Sequence, residues 1–212
     1  MFFPVRRDVF RWGTSDPEMD QMMYGHLFVD GNKCILIDPP FVPGLIEGID
    51  RLGSLDAVLI TTLDHTRGVD YICRKTGAQL YIPDQMKSMT IDPEFYITKT
   101  GIKNFEKYGN ESIFGLKTFR LTVEGNSAES EPYMDEYALL TDHDELIIGD
   151  IAVGTVDNRL LIAPEWFPIP DEPYPPAHKS FRKVVTESRA TSLLTSHGLS
   201  IHGNLQELIK LI

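Results

Sequence analysis

The chain has 212 residues and a formal net charge of −11, from 20 Lys and Arg against 31 Asp and Glu. Hydrophobic residues make up 42% and charged residues 24%, the proportions of an ordinary globular protein, which excludes a disordered or fibrous chain. The acidic balance repels phosphate backbones and argues against nucleic acid as a partner, and no run of about 18 apolar residues offers a membrane span. The opening residues 1–7 hold no apolar stretch of signal length, and Cys34 and Cys73 each lie in an apolar pattern. The expectation is a cytoplasmic protein with two buried thiols rather than a disulfide framework.

The first third predicts alternating strands and helices. Leu27-Phe28-Val29 and Cys34-Ile35-Leu36-Ile37 flank Asp30-Gly31-Asn32, a hairpin turn whose Gly and Asn accept positive φ. Leu45, Ile46, Ile49 and Leu52 repeat at helical spacing with Gly53 as the stop, and Ala57-Val58-Leu59-Ile60 is a strand apolar on both faces. Val69, Ile72 and Cys73 mark a second helix ended by Gly77, followed by a short strand at Leu80-Tyr81-Ile82-Pro83. Residues 84–112 lack periodicity and predict a short helix and loops.

The second half is also strand-rich and ends in closing helices. Phe119, Leu121 and Val123 alternate as a half-buried strand, and Tyr137–Leu140 and Leu146–Ile148 form a hairpin around Thr141-Asp142-His143-Asp144. Leu160-Leu161-Ile162 precedes a proline- and aromatic-rich loop over residues 164–176. Phe181, Val184 and Val185 predict a helix, Ser192–Thr195 a buried strand, and Asn204 with Glu207 a capping box on a terminal helix. Two strand-rich halves with closing helices suit an α/β fold of two face-to-face sheets with helices outside.

Three apolar strands run into residues able to bind metal: Asp64-His65 after Leu59–Leu63, Asp150 after Ile148-Gly149, and His197 after Thr195-Ser196. Carboxyl ends of strands line the ligand crevice in open α/β sheets, so these four side chains can meet. Two carboxylates and two imidazoles suit zinc, iron(II) or manganese. Each residue alone also has a structural reading: Asp64 as a helix cap, His65 as a satisfied turn residue, Asp150 as the start of a turn. Trp166 and Tyr174 in the proline loop are candidates for a substrate lid, for core cover, or for contact with a second copy in a homodimer. His26, His143, His178 and His202 are expected in packing or solvated roles. No Gly-rich nucleotide loop and no Gly-x-Ser-x-Gly elbow is present.

The order of these segments resembles the metallo-β-lactamase superfamily along nearly the whole chain. Ile35-Leu36-Ile37-Asp38-Pro39 is similar to its opening Ile-Asp-Pro-Gly, and residues 59–68 are similar to its Thr-His-x-His-x-Asp-His-x-Gly-Gly motif. Ile148-Gly149-Asp150 and Ser196-His197-Gly198 are similar to its Gly-Asp and Gly-His-Gly. The resemblance implies one domain over residues 1–212, a four-layer αβ/βα sandwich. Members commonly hold two metals, but here the His-x-His positions fall on Ile60 and Thr62, with Thr61 opposite one of them if a small deletion is allowed. Asn126 replaces the histidine of a Pro-Gly-His-Thr segment. One site has thus lost its imidazoles, and Asp64, His65, Asp150 and His197 remain as the set for one divalent metal. The implied function is hydrolysis of a small ester, thioester, lactone or amide by one metal-activated water, with Asp64 and Asp150 as catalytic carboxylates. The alternative is a non-catalytic metal- or ligand-binding member of the fold, its site a relic with or without a metal.

Overall fold

Residues 33–37 show how the sandwich is built: along this strand successive side chains point to opposite faces, and both faces are apolar. In the computed structural model, Cys34 and Leu36 pack toward helices while Ile35 and Ile37 pack toward a second sheet. The structure describes residues 2–16, 21–85, 104–123, 134–163, 165–166 and 177–212.

The first sheet holds β1 (Phe3–Pro4), β2 (Val9–Asp16), β3 (Gln21–Asp30), β4 (Lys33–Ile37), β5 (Ser54–Leu59), β6 (Gln79–Pro83) and β7 (Phe105–Tyr108), in that spatial order. Pairing is antiparallel from β1 to β4 and parallel from β4 to β7. Parallel neighbours need a crossover, and α1 (Leu45–Ile49) and α2 (Val69–Thr76) supply two of them. Leu45, Ile49, Val69 and Ile72 of these helices cover Leu36 and Val58 of the sheet.

The second sheet runs β14 (Ser192–Thr195), β11 (Glu145–Ile148), β10 (Met134–Leu140), β9 (Leu116–Val123) and β8 (Ser112–Ile113). Its β11–β14 pair is parallel, reached through the small hairpin of β12 (Ala152–Gly154) and β13 (Leu160–Ile162) and through α3 (His178–Ser188). Phe181 and Val185 of α3 and Leu205 of α4 (Leu205–Leu208) pack on the outer face against Leu121 and Leu146. Between the sheets lie Phe28, Ile37 and Leu59 from one side and Leu139, Ile147 and Leu194 from the other. The layers are helix, sheet, sheet, helix.

Gly77 closes α2 at φ 77, as its place in the sequence predicts. Other details differ. The segment expected as helix and loops contributes β7, whose edge pairing on β6 needs no strong periodicity, while residues 86–103 lie outside the described set. Gly53 does not cap α1; a Cβ there would stand 2.4 Å from the Asn32 carbonyl oxygen, so the position serves a close backbone approach. Asn204 precedes α4, but its side chain makes no cap bond. Cys34 is buried and Cys73 half-buried, both as free thiols. Among the described residues no helix is long and apolar enough to cross a membrane.

Candidate metal centre

The parallel pairs β4–β5 and β11–β14 end at the same edge of the sandwich, and the residues that follow them meet there. Asp38 follows β4, and His65 closes the short 3-10 helix Leu63–His65 beyond β5. Asp150 and His197 lie just beyond β11 and β14. His65 Nε2 is 3.0 Å and His197 Nε2 3.3 Å from Asp150 Oδ1. One ligand atom from each of these three residues lies within 4.8 Å of the others. Two imidazoles and a carboxylate at this spacing suit a divalent ion, and three protein ligands leave a fourth position open for water or substrate.

Asp64 does not belong to this triad. Its backbone N–H is capped by the Thr62 hydroxyl at 3.4 Å, and its carboxylate lies 3.5 Å from the same oxygen. Asp64 does not cap the helix that follows, since the N-cap of α2 is Gly68, with no side-chain cap bond; Thr62 caps the 3-10 turn instead. Ile60 also departs from expectation: it does not line a neighbouring metal position, because strand alternation turns its buried side chain into the core beneath α1 and α2. Thr61 is the residue turned toward the centre. Asn126 and Tyr174 lie outside the described residues. Trp166 is beside the centre: its Nε1 donates to the Asp150 carbonyl at 2.9 Å and its ring is 5.4 Å from that of His197.

Three residues of the site were not singled out in the sequence. Asp38 is fully buried and accepts from Thr61 N (2.7 Å), Thr61 Oγ1 (2.6 Å) and Ser196 Oγ (3.0 Å). Its Oδ2 stands 3.0 Å from His65 Nδ1, an ion contact without good hydrogen-bond alignment. A carboxylate behind a histidine fixes the ring and leaves Nε2 for a metal. Asp38 adopts φ 50, a left-handed backbone that these bonds hold in place. Glu136, buried on β10, accepts the backbone N–H groups of Gly149 (3.2 Å), Asp150 (2.6 Å) and Ile151 (3.1 Å) and so shapes the turn that presents Asp150. Arg67 places Nη2 2.6 Å from His197 Nε2.

The charges follow from this packing. Burial opposes the protonated form of His65, and Arg67 adds to that, but Asp150 and Asp38 outweigh both and hold its pKa at about 9. Burial alone would raise Asp150, yet His65, His197 and Arg67 pull it well below the usual carboxylate range. Asp38 is likewise lowered, against its burial, by His65 and Thr61. Burial pushes His197 down to about 4, so its Nε2 accepts from the Arg67 N–H. Burial and the neighbouring Asp150 charge lift Glu136 to about 8. Beside the centre, a groove of about 380 Å³ is lined by Met22, Tyr24, Val153, Trp166 and Leu199.

A sequence model of the Metallo-beta-lactamase superfamily matches residues 3–211. The chain belongs to this superfamily. Solved metallo-β-lactamases share the fold of this superfamily member: DIM-1 superposes with a TM-score of 0.71 at 13% identity, over 100% of this chain and 94% of that one. TMB-1 gives 0.70 at 16% identity over 100% and 94%. FIM-1 from Pseudomonas aeruginosa, described in a mono-zinc form, gives 0.67 at 13% identity over 100% and 92%. No curated protein matches in sequence. The protein is therefore a hydrolase-like member of the metallo-β-lactamase fold.

Proposed function

We propose that this superfamily member is a single-ion hydrolase that cleaves a small ester, thioester, lactone or amide. The observation that carries the reading is the convergence of His65 Nε2, Asp150 Oδ1 and His197 Nε2 within one coordination sphere. Zinc is the ion this donor set fits best, with iron(II) or manganese as the other candidates. A bound divalent ion lowers the pKa of its water to about 7 and polarises a carbonyl. The chain's own residues position that chemistry. Asp38 holds the His65 ring from behind, and Glu136 holds the Asp150 turn through three N–H groups. Trp166 shields one side of His197, and the adjoining groove offers an apolar wall for the rest of a substrate.

A single ion, rather than two, is supported by what the other positions do. Ile60 is consumed in the core, the Thr62 hydroxyl caps a helix turn, and the Thr61 hydroxyl is committed to Asp38. A neutral hydroxyl is in any case a weak zinc ligand. Elemental analysis after zinc loading is expected to give one ion per chain, lost in Asp150→Asn. The zinc-loaded protein is expected to turn over at least one member of a panel of activated esters, thioesters and lactones, and Asp150→Asn is expected to abolish that turnover. Full zinc occupancy with no turnover across the panel would favour a non-catalytic binding module.

A further inference from the structure

We propose that Arg67 is an anion-binding residue of this centre, taking a carboxylate or phosphate oxygen of the substrate through its Nη1. The starting observation is a donor without an acceptor. Nη2 of Arg67 donates to His197 Nε2 at 2.6 Å, through the lone pair an ion would take, so metal loading would release Nη2 as well; Nη1 is buried and makes no hydrogen bond to any described residue. Leaving a buried charged donor unpaired is costly, and a guanidinium presents its N–H groups as a planar fork matched to two oxygens of a carboxylate or phosphate.

The placement is also specific. Arg67 stands where the motif resembled by residues 59–68 has a glycine, so a long cation has been added beside the ligand set. It lies against His197, and it supplies a fixed positive charge there. Aspartates 150, 38, 16 and 64 all attract it. Their negative charge weakens anion binding in the metal-free protein, and an ion on Asp150 relieves part of that repulsion. Anion affinity is therefore expected in both states and higher in the loaded one. The proposal deepens the single-ion reading by naming the charge of the substrate.

The test is titration of inorganic phosphate and, in parallel, acetate into chelator-treated and zinc-loaded protein. It uses wild type, Arg67→Gln and Arg67→Lys, followed by the NMR resonances of the centre, with zinc content measured separately. The wild type is expected to bind one or both anions in both states, the tighter of the two identifying the group. Arg67→Gln should lose at least tenfold in affinity in both states. Arg67→Lys, which keeps the charge but not the fork, should lose less. Matching thermal melts show that the variants are folded, and Arg67→Lys carries the comparison if Arg67→Gln is not. Equal binding by wild type and Arg67→Gln would overturn the proposal, as would binding confined to the zinc-loaded state and indifferent to Arg67, which places the anion on the ion itself. No binding by the wild type in either state would also overturn it. Failure to load zinc would count against the single-ion reading alone, because the metal-free titration still decides the role of Arg67.

Discussion

Replacing Asp38 by Asn tests whether His65 is held as a cation between two carboxylates. The Asp38 carboxylate accepts from Thr61 N at 2.7 Å, Thr61 Oγ1 at 2.6 Å and Ser196 Oγ at 3.0 Å, with His65 Nδ1 3.0 Å from Oδ2. An amide keeps only one acceptor oxygen. The two hydroxyls can turn to accept from it, but the Thr61 N–H cannot. The amide oxygen must then face that N–H, which sets the NH₂ group against His65 Nδ1. A His65 pKa of about 9 against an ordinary 6.5 corresponds to about 3 kcal/mol of pH-linked stability. One opposite charge this close raises a pKa by about one unit or more, so the loss of the Asp38 charge is worth about 1–2 kcal/mol of it.

Because the folded pKa of His65 is raised, this stabilisation is complete below its ordinary value and is lost as pH climbs past about 9. The pKa of Asp38 is lowered, so its own charge contributes equally at both ends of that window. Asp38→Asn is therefore expected to lose about 1–3 kcal/mol at every pH from unmade bonds, plus about 1–2 kcal/mol more near pH 6 than near pH 9.5. Urea unfolding of chelator-treated protein, followed by circular dichroism at the two pH values, reads the difference. Equal losses at both would refute a cationic His65 between the two aspartates.

Glu136 holds its proton to about pH 8, so the wild type loses stability as pH rises from the ordinary carboxylate range to that point. Glu136→Gln cannot lose a proton there. Its stability relative to wild type is expected to rise by roughly 3–5 kcal/mol between pH 5 and pH 8.5, and a flat difference in urea titrations would contradict this. A Cβ at Gly149 would stand 2.7 Å from Thr61 Oγ1 and 2.9 Å from Glu136 Oε2, so Gly149→Ala should cost about 1–3 kcal/mol and lower the thermal midpoint by several degrees. Trp166→Phe removes the 2.9 Å bond to the Asp150 carbonyl at a cost of about 1 kcal/mol. With Trp12 buried in the helix-side core, the variant should also lose any change in tryptophan emission on zinc addition; a full response remaining would place the reporter elsewhere.

The layers of the fold were legible because both sheets have strands with apolar residues on two faces and helices whose stripes match them. Short edge strands such as β7 and β8 were not, since edge pairing asks little of side chains. His65, Asp150 and His197 could be read from their positions at strand ends. Asp38 sits in a quoted segment, Ile37-Asp38-Pro39, yet nothing local shows that a carboxylate after one strand will stand behind the histidine of the next. Glu136 carries a clearer signal, an acid in a seven-residue strand that is buried throughout. Alternation alone does not say which polar residue faces inward. Arg67 is visible only as a departure from a glycine pattern, and its contact with His197 spans 130 positions of sequence.

Thr61 binds Asp38 through its own N–H and hydroxyl, while its carbonyl accepts the Tyr137 N–H of the opposite sheet at 2.9 Å. The same few atoms thus pin one sheet to the other and set the histidine. During synthesis His65 and Asp38 leave the ribosome long before Asp150, and Asp150 well before His197. A metal ion would have no finished cradle until strands of both sheets are made, so it would not template early folding and would instead report that the two sheets have docked.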